Sequence, residues 1–501
     1  MADGHDLRAP EDMFKRRLCI AMASTAGAVL LSLALIYSHS VQALWPASWY
    51  PTPQLTSPVV DPFLIELQER TFRYFWDTAN PRNGLIPDRY PSPSASSVAA
   101  VGFGLTTYPI AVERHYVTRK QARQRVLATL RFLRNAPQGP QATGMTGYKG
   151  FYYHFLDMKT GERAGDSEIS TVDTALLLAG ALFVQSYFDR PHPEEAEIRR
   201  LVDEIYRRVD WRWAQPNAPA ISHGWSPEEG FIEYDWRGYN EAMLVYLLAL
   251  GSPTHPVDPD AWTEWTSTYD SSWRTSFGQQ FLNFSPLFGH QYTHVWMDFR
   301  EIQDAYMRRR GLDYFENSRR AIYAQRAYAM TNPLRCKDYG ADVWGITASD
   351  GPGSNVELEN ATGKRRYRGY YARGVGDVET HDDCTLAPTA AAASIPFAPE
   401  LAIPAVLAMH TQFGKYIYSD FGFLDAFNPS FDFDVPVRSG RCIPGFGWVA
   451  GDYIGIDQGA IFAMIENYRS GMVWNVMRKN PYLRRGLDRA GFTGGWLSAS
   501  R

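Results

Sequence analysis

Cysteine is scarce: four in 501 residues. Cys19 lies inside an apolar run, and Cys336, Cys384 and Cys442 show no C-x-x-C spacing. Three thiols cannot all pair, so at most one bridge forms among them, with partners the spacing does not name. This pattern leaves cysteine out of the chemistry and offers no zinc-type cluster. A surplus of positive charge is also missing. The 50 Lys and Arg face 54 Asp and Glu, for a net charge of −4, which argues against nucleic acid as the main partner. The glycine-rich stretch Gly345–Gly353 lacks the Lys-Ser/Thr ending of a phosphate loop. His290 and His294 have metal-ligand spacing, but no acidic neighbour completes a zinc-protease motif, so no metal and no cofactor is expected. No internal repeat is visible, and strand signals are few; Phe151–Phe155 is the clearest.

What the chain does have is aromatic side chains, 14% of it, with 15 Trp, 29 Tyr and 27 Phe. Such a load builds either core or stacking surfaces for the apolar faces of sugar rings. The chain also has one long hydrophobic run. Lys15-Arg16-Arg17 precedes 20 uncharged residues, 18–37, long enough to span a bilayer. Val41-Gln42-Ala43 follows as a small-x-small cleavage site. Residues 1–43 therefore read as a signal peptide or an uncleaved signal anchor, engaging the secretion machinery or the membrane. Either way, the following residues are exported, and a periplasmic location is expected. Residues 44–60, rich in Pro and Ser, read as a linker, and 61–501 as the folded domain.

From Asp61 onward helical periodicity recurs. Helices are expected from Asp61-Pro62, then over Ser97–Glu113, Lys120–Asn135, Ser170–Tyr187, Pro193–Arg208, Tyr239–Leu250 and Asp260–Thr268. Others are expected over Phe299–Arg310, Asp313–Met330, Ala387–Ser394, Pro399–Phe413, Gly459–Ser470 and Pro481–Ala490. About a dozen helices with long aromatic-rich loops fit either one all-α toroid of six helical hairpins or several bundles in series.

Three of these helices begin directly after acidic clusters. They are Asp166–Asp173 with Glu168, Tyr234–Glu241, and Tyr453–Gly459 with Asp457 and Gln458. Taken singly, each acid has an ordinary role: Ser170 and Asp173 resemble a capping box, Asp457 suits an N-cap, and Glu241 suits a first turn. Taken together on inner helices that run the same way, they would meet on one rim. Trp236, Tyr239, Asn240 and Tyr453 beside them would supply stacking and hydrogen bonds. That combination suits glycoside hydrolysis, which needs a protonated carboxyl and an ionised one. A helix N-terminus lowers a carboxyl pKa, so the acid of such a pair needs burial or a like charge to raise it. Further cleft candidates are His290, Tyr292 and Trp296 in one aromatic-polar run, with Asp350, Asp383 and Asp425. Lys364–Arg368 reads as a solvated basic loop or a contact for an anionic substituent.

The runs Glu168–Leu176, Gly238–Met243, Gly289–Tyr292, Asp298–Asp304, Tyr314–Ala321, Ala387–Ala392, Gly455–Gly459, Met464–Gly471 and Gly494–Leu497 resemble the bacterial glycoamylase-like domain family, in order, from about Asp61 to the C-terminus. The resemblance implies an (α/α)6 toroid and an exported glycoside hydrolase acting on β-1,2-glucan. The expected type is an anomer-inverting endo-β-1,2-glucanase. Its alternatives are an exo-acting sophorose-releasing hydrolase, a transglycosylase, or a non-catalytic glucan-binding envelope protein. Carried over by motif, Glu241 is the general acid, and Asp173 and Glu168 handle the water or support subsites. The chain departs from the family pattern at Ala460, where Pro is expected, and over Phe431–Phe446.

Overall fold

Two kinds of helix alternate along the chain in this computed structural model, which describes residues 60–360, 363–376 and 380–498. One kind is buried nearly all round: α2 (Val98–Glu113), α4 (Thr171–Tyr187), α6 (Met243–Gly251), α8 (Tyr292–Trp296), α10 (Pro388–Ala392) and α12 (Gly455–Ser470). The other kind buries one face and turns charge outward: α1 (Pro62–Thr78), α3 (Arg119–Asn135), α5 (Pro193–Arg207), α7 (Asp260–Trp265), α9 (Tyr314–Thr331) and α11 (Pro399–Ile417). A helix apolar on every side must be enclosed, whereas an amphipathic one must lie at the surface. Six enclosed helices ringed by six amphipathic ones make the (α/α)6 toroid, and the residues from Val59 onward form one unit.

Small residues set how closely the inner ring packs. A Cβ at Gly180 would lie 1.9 Å from the Gly102 carbonyl oxygen, and one at Gly102 would lie 2.3 Å from that of Leu176. Only glycine lets α2 and α4 meet backbone to backbone. The ring is closed where its first and last members meet. Glu466 of α12, fully buried, accepts from Arg114 Nε at 2.8 Å and Nη2 at 2.5 Å, and from Gln68 of α1. A buried carboxylate is tolerable only with such a bidentate partner.

Most helix boundaries follow the sequence expectation, because caps mark them. Asp61, Ser97, Thr118, Ser170 and Asp313 each cap a helix with their side chains. Where no such cap exists, the expectation shifts. The helix expected over Phe299–Arg310 begins only at Ala305, capped by Asp304. Before it, Glu301 takes a left-handed conformation, and Ile302–Gln303 pairs with Thr493–Gly494. The helix expected from Tyr239 begins at Met243, because Asn240 Oδ1 accepts from the Ala242 amide and turns the chain first. The helix expected from Gly459 begins a turn earlier, at Gly455. Asp457 is consequently inside its first turn rather than at the N-cap, which Ile454 occupies. The Phe151–Phe155 strand is two short ones, Phe151–Tyr152 and Phe155–Leu156, with His154 in the bend between them.

Cys336 and Cys384 form a disulfide, and Cys442 is free and exposed. Lys364 and Arg366 lie on a surface hairpin, both paired with Glu357. Among the described residues no helix is long and apolar enough to cross a membrane. The apolar run 18–37 and the linker lie outside the described residues.

Candidate active site

The inner helices bring their N-termini to one rim, and nearly every one delivers a polar group there. Val98, first residue of α2, donates its amide to the His154 carbonyl at 3.2 Å. α4 carries Asp173 in its first turn, α6 follows Glu241, α8 opens with Tyr292, and α12 carries Asp457. Cross-links tie these starts together. Thr293 of α8 donates to the Glu241 carbonyl at 3.4 Å, Tyr292 donates its hydroxyl to Asp457 Oδ1 at 3.1 Å, and Thr389 of α10 donates to the Asp457 carbonyl at 3.3 Å.

Two charge clusters occupy this rim. The first holds Glu241, Asp173, His154 and Glu168. Ser170 caps α4 by accepting from the Asp173 amide, and its hydroxyl donates to Asp173 Oδ2 at 2.5 Å. His154 stands between two acids, with Nδ1 at 2.9 Å from Glu168 Oε1 and Nε2 at 3.6 Å from Asp173 Oδ1. Burial alone would lower the His154 pKa, but the two carboxylates overcome it and push it up to about 9. Glu168 feels the reverse: burial raises it, and the His154 hydrogen bond and charge bring it below the ordinary glutamate value. Glu241 has no such cation. Its Oε2 is buried without a hydrogen-bond partner. Burial, with a smaller contribution from the Asp173 charge, pushes its pKa up to about 7. A helix start alone would lower it, so enclosure wins over the dipole.

The second cluster surrounds Arg89. Its Nη1 lies 2.8 Å from Asp350 Oδ2 and its Nε 3.3 Å from Asp88 Oδ2, with Asp452 Oδ2 at 4.0 Å. Asp425 Oδ2 accepts from the Asp350 amide at 2.7 Å. Asp425 and Asp457 are 2% and 3% exposed and face each other. Burial holds both pKa values up, Asp457 at about 7 and Asp425 well above the ordinary carboxyl range. Two buried carboxyls in contact cannot both ionise. The pair therefore holds one proton between its two carboxyls. The Tyr370 ring is 49% exposed, while its hydroxyl lies in the field of Asp457, Asp425, Asp88 and Asp350.

The structure therefore brings Glu241, Asp173, Glu168, Tyr292, Asp350, Asp425 and Asp457 to the rim. It assigns other candidates to packing. Tyr239 stacks on Tyr314 at 5.8 Å, and His290 is fully buried with Nε2 3.1 Å from the Phe284 carbonyl. Burial lowers the His290 pKa to about 4, so the ring is neutral. Trp296 is fully buried and donates to Thr106, and Tyr453 packs edge-on to Phe421. Gln458 donates to the Phe423 carbonyl, and Asn240 shapes the turn before α6. Asp383 is spent on a two-pronged ion pair with buried Arg373, at 2.7 and 2.9 Å. Trp236 is intermediate, 8% exposed, stacked on His223 and donating to Thr171 at the start of α4.

Sequence reasoning missed His154, Asp88, Arg89, Asp452 and Tyr370. His154 had a signal, as a lone polar residue interrupting an aromatic run. Arg89 opens a two-residue strand paired with Tyr453–Ile454, and the others sit in short loops, all too short for periodicity. A cavity of about 610 Å³ lies elsewhere, lined by Lys337, Asn360, Pro429–Asp434 and Cys442–Gly447. It contains none of the rim carboxylates, so the chemistry is assigned to the rim.

Residues 233–481 match the glycoamylase family model, described as "putative glucoamylase". A Bacteroides uniformis protein described in the same words superposes with a TM-score of 0.74 and 30% identity, covering 89% of this chain and 99% of its own. An endo-β-1,2-glucanase from Chitinophaga pinensis, solved with sophorotriose and glucose, superposes with a TM-score of 0.73 and 27% identity, over 87% of this chain and 98% of its own. An exo-β-1,2-glucooligosaccharide sophorohydrolase from Parabacteroides distasonis is 27% identical over 467 residues, 87% of this chain. This chain spans only 58% of that relative's length. The ring of enclosed helices, the acids at their shared rim and a 30% identical relative matched over nearly its full length have one reading: the chain belongs to the glycoamylase-like family.

Proposed function

We propose that this protein is an exported β-1,2-glucan hydrolase of endo type that inverts the anomeric centre. The observation that carries the reading is the pairing of Glu241 with Asp173. One carboxyl has a buried oxygen without a hydrogen-bond partner and a pKa raised to about 7; the other faces a cationic imidazole. Two carboxyls in different surroundings, one enclosed and one beside a cation, are what acid and base roles require. Glu241 donates its proton to the leaving glycosidic oxygen. Asp173 withdraws a proton from the attacking water, directly or through a substrate hydroxyl, while Glu168 supports it through His154. Asp457, Asp425 and Asp350 accept sugar hydroxyls, and Tyr370 offers the exposed ring on which a pyranose stacks.

The β-1,2 linkage rests on the activities named for the Chitinophaga and Parabacteroides relatives. Export rests on the apolar run 18–37 behind Lys15–Arg17, and the Cys336–Cys384 disulfide fits an oxidising compartment. The test is to incubate the chain with linear and cyclic β-1,2-glucan, beside starch and β-1,3-glucan, and to separate the products by thin-layer chromatography. A ladder of oligosaccharides from β-1,2-glucan alone supports endo action, whereas sophorose alone replaces it with exo action. Cleavage of starch only, or no cleavage, overturns the substrate. Proton NMR of the first product anomer distinguishes inversion from retention.

A further inference from the structure

His154 has no part in bond making in the reading above, yet it is built into the site, hydrogen-bonded through Nδ1 and within ion-pair distance of a second acid through Nε2. Nδ1 faces Glu168 Oε1 at 2.9 Å and Nε2 faces Asp173 Oδ1 at 3.6 Å. A neutral imidazole has one N–H and one lone pair, so one of these contacts would set a lone pair against a carboxylate. Only the imidazolium satisfies both. The ring is fixed from behind by stacking on Phe155, at 3.9 Å and 13°. The backbone is fixed too: the His154 amide donates to the Glu168 carbonyl at 2.8 Å, and its own carbonyl accepts from Val98. The charged groups facing the ring are Glu168, Asp173 and, from the loop after α1, Asp88. Arg163 acts on Glu168 from the far side, and Glu241 faces Asp173.

We propose that His154 is a positioning residue: as an imidazolium between Glu168 and Asp173, it orients the Asp173 carboxylate as the partner of Glu241. Without it, Glu168 and Asp173 would place two uncompensated negative charges beside Glu241. The acid–base pair would then lack its counter-charge, a change that the acid limb of a pH–rate profile reads. The inference rests on the functional reading above for its consequence, but not for its premise.

The experiment therefore has two arms, both on the full chain. In the first, the protein is labelled with 15N-histidine, and the His154 ring signals are assigned by their loss in His154→Gln. Two protonated ring nitrogens at pH 7.5, titrating only toward pH 9, are expected. A neutral ring at pH 7.5 overturns the proposal whatever the enzyme does. In the second, pH–rate profiles on β-1,2-glucan are compared for the wild type, His154→Gln and His154→Arg. The acid limb of kcat/KM should move up by about one unit or more in His154→Gln. Its kcat should fall roughly 10- to 100-fold with KM nearly unchanged, as for loss of a transition-state interaction. His154→Arg, which keeps a cation, should restore the limb. An unmoved limb in His154→Gln, or a limb equally displaced in both variants, overturns the positioning role. If His154→Gln does not fold, the arginine variant and the wild-type signals at position 154, assigned against it, still decide. Absence of turnover by the wild type on every glucan would count against the functional reading and leave the first arm standing.

Discussion

Arg89 and His154 are each a single cation between carboxylates, with Asp88 in the field of both, yet the two stretches of the rim behave differently. Around Arg89 the charge is permanent, and the surplus of acids is relieved by a proton trapped between Asp425 and Asp457. Around His154 the cation itself titrates, and Glu241 is left beyond its reach with no counter-ion. The first arrangement suits binding, because the cation at its centre does not titrate across the physiological range. The second suits proton transfer, because its groups exchange protons between about pH 7 and 9.

The largest effect expected from this contrast is on Glu241. Glu241→Gln should lower kcat by about 10²- to 10⁴-fold, the range for a lost general acid. Oligosaccharide binding by calorimetry should survive. Loss of binding, or a near-normal rate, would remove the distinction between the two stretches.

Next comes the nature of the two cations. The folded-state pKa of His154 lies above its unfolded value of about 6.5. Its stabilisation is therefore fully present below pH 6.5 and is lost as pH rises through about 9. The Tm gap between the wild type and His154→Gln should be wide at pH 6 and close by pH 10. The gap for Arg89→Gln should persist at pH 10, since guanidinium does not titrate there. Equal pH dependence in both variants would break the comparison.

A smaller effect should appear in stability at Glu241. Its folded pKa of about 7 exceeds the unfolded value, so the native state binds the proton more tightly, and stability is lost as pH rises from about 4.5 through 7. Glu241→Gln removes that penalty. It should melt above the wild type at pH 8 and level with it at pH 4, as expected where function is bought with stability. The smallest effect should come from Tyr370→Ala, with KM raised about two- to tenfold, in line with one aromatic stacking contact, and kcat retained. A fall in kcat instead would move Tyr370 from the binding stretch into the reaction.

Helices were legible in this sequence because their signals are local. Asp61, Ser97, Ser170 and Asp313 are short polar side chains that satisfy amides within three residues of themselves. The apolar spacing of α1 and α5 shows which face is buried. Glu241, Asp173, Glu168 and Asp457 were also legible, since they precede or open apolar helices and recur in family motifs. Tyr239, His290, Trp296, Tyr453 and Asp383, cleft candidates by sequence, are packed against neighbouring side chains in the structure. Composition marks a polar-aromatic run as interesting, but a rotation of one residue along a helix start carries a side chain from rim to core.

The amino-acid sequence by itself determined the ring of helices and the placing of acids at their starts, because caps and periodicity act over a few residues. Only the tertiary structure decided the protonation of those acids. Whether a carboxyl is enclosed like Glu241, clamped like Asp173 or sharing a proton like Asp457 depends on partners brought from loops tens to hundreds of residues away. Burial and charge, the two forces that set a pKa, are properties of that assembled neighbourhood and not of the residue's place in the chain.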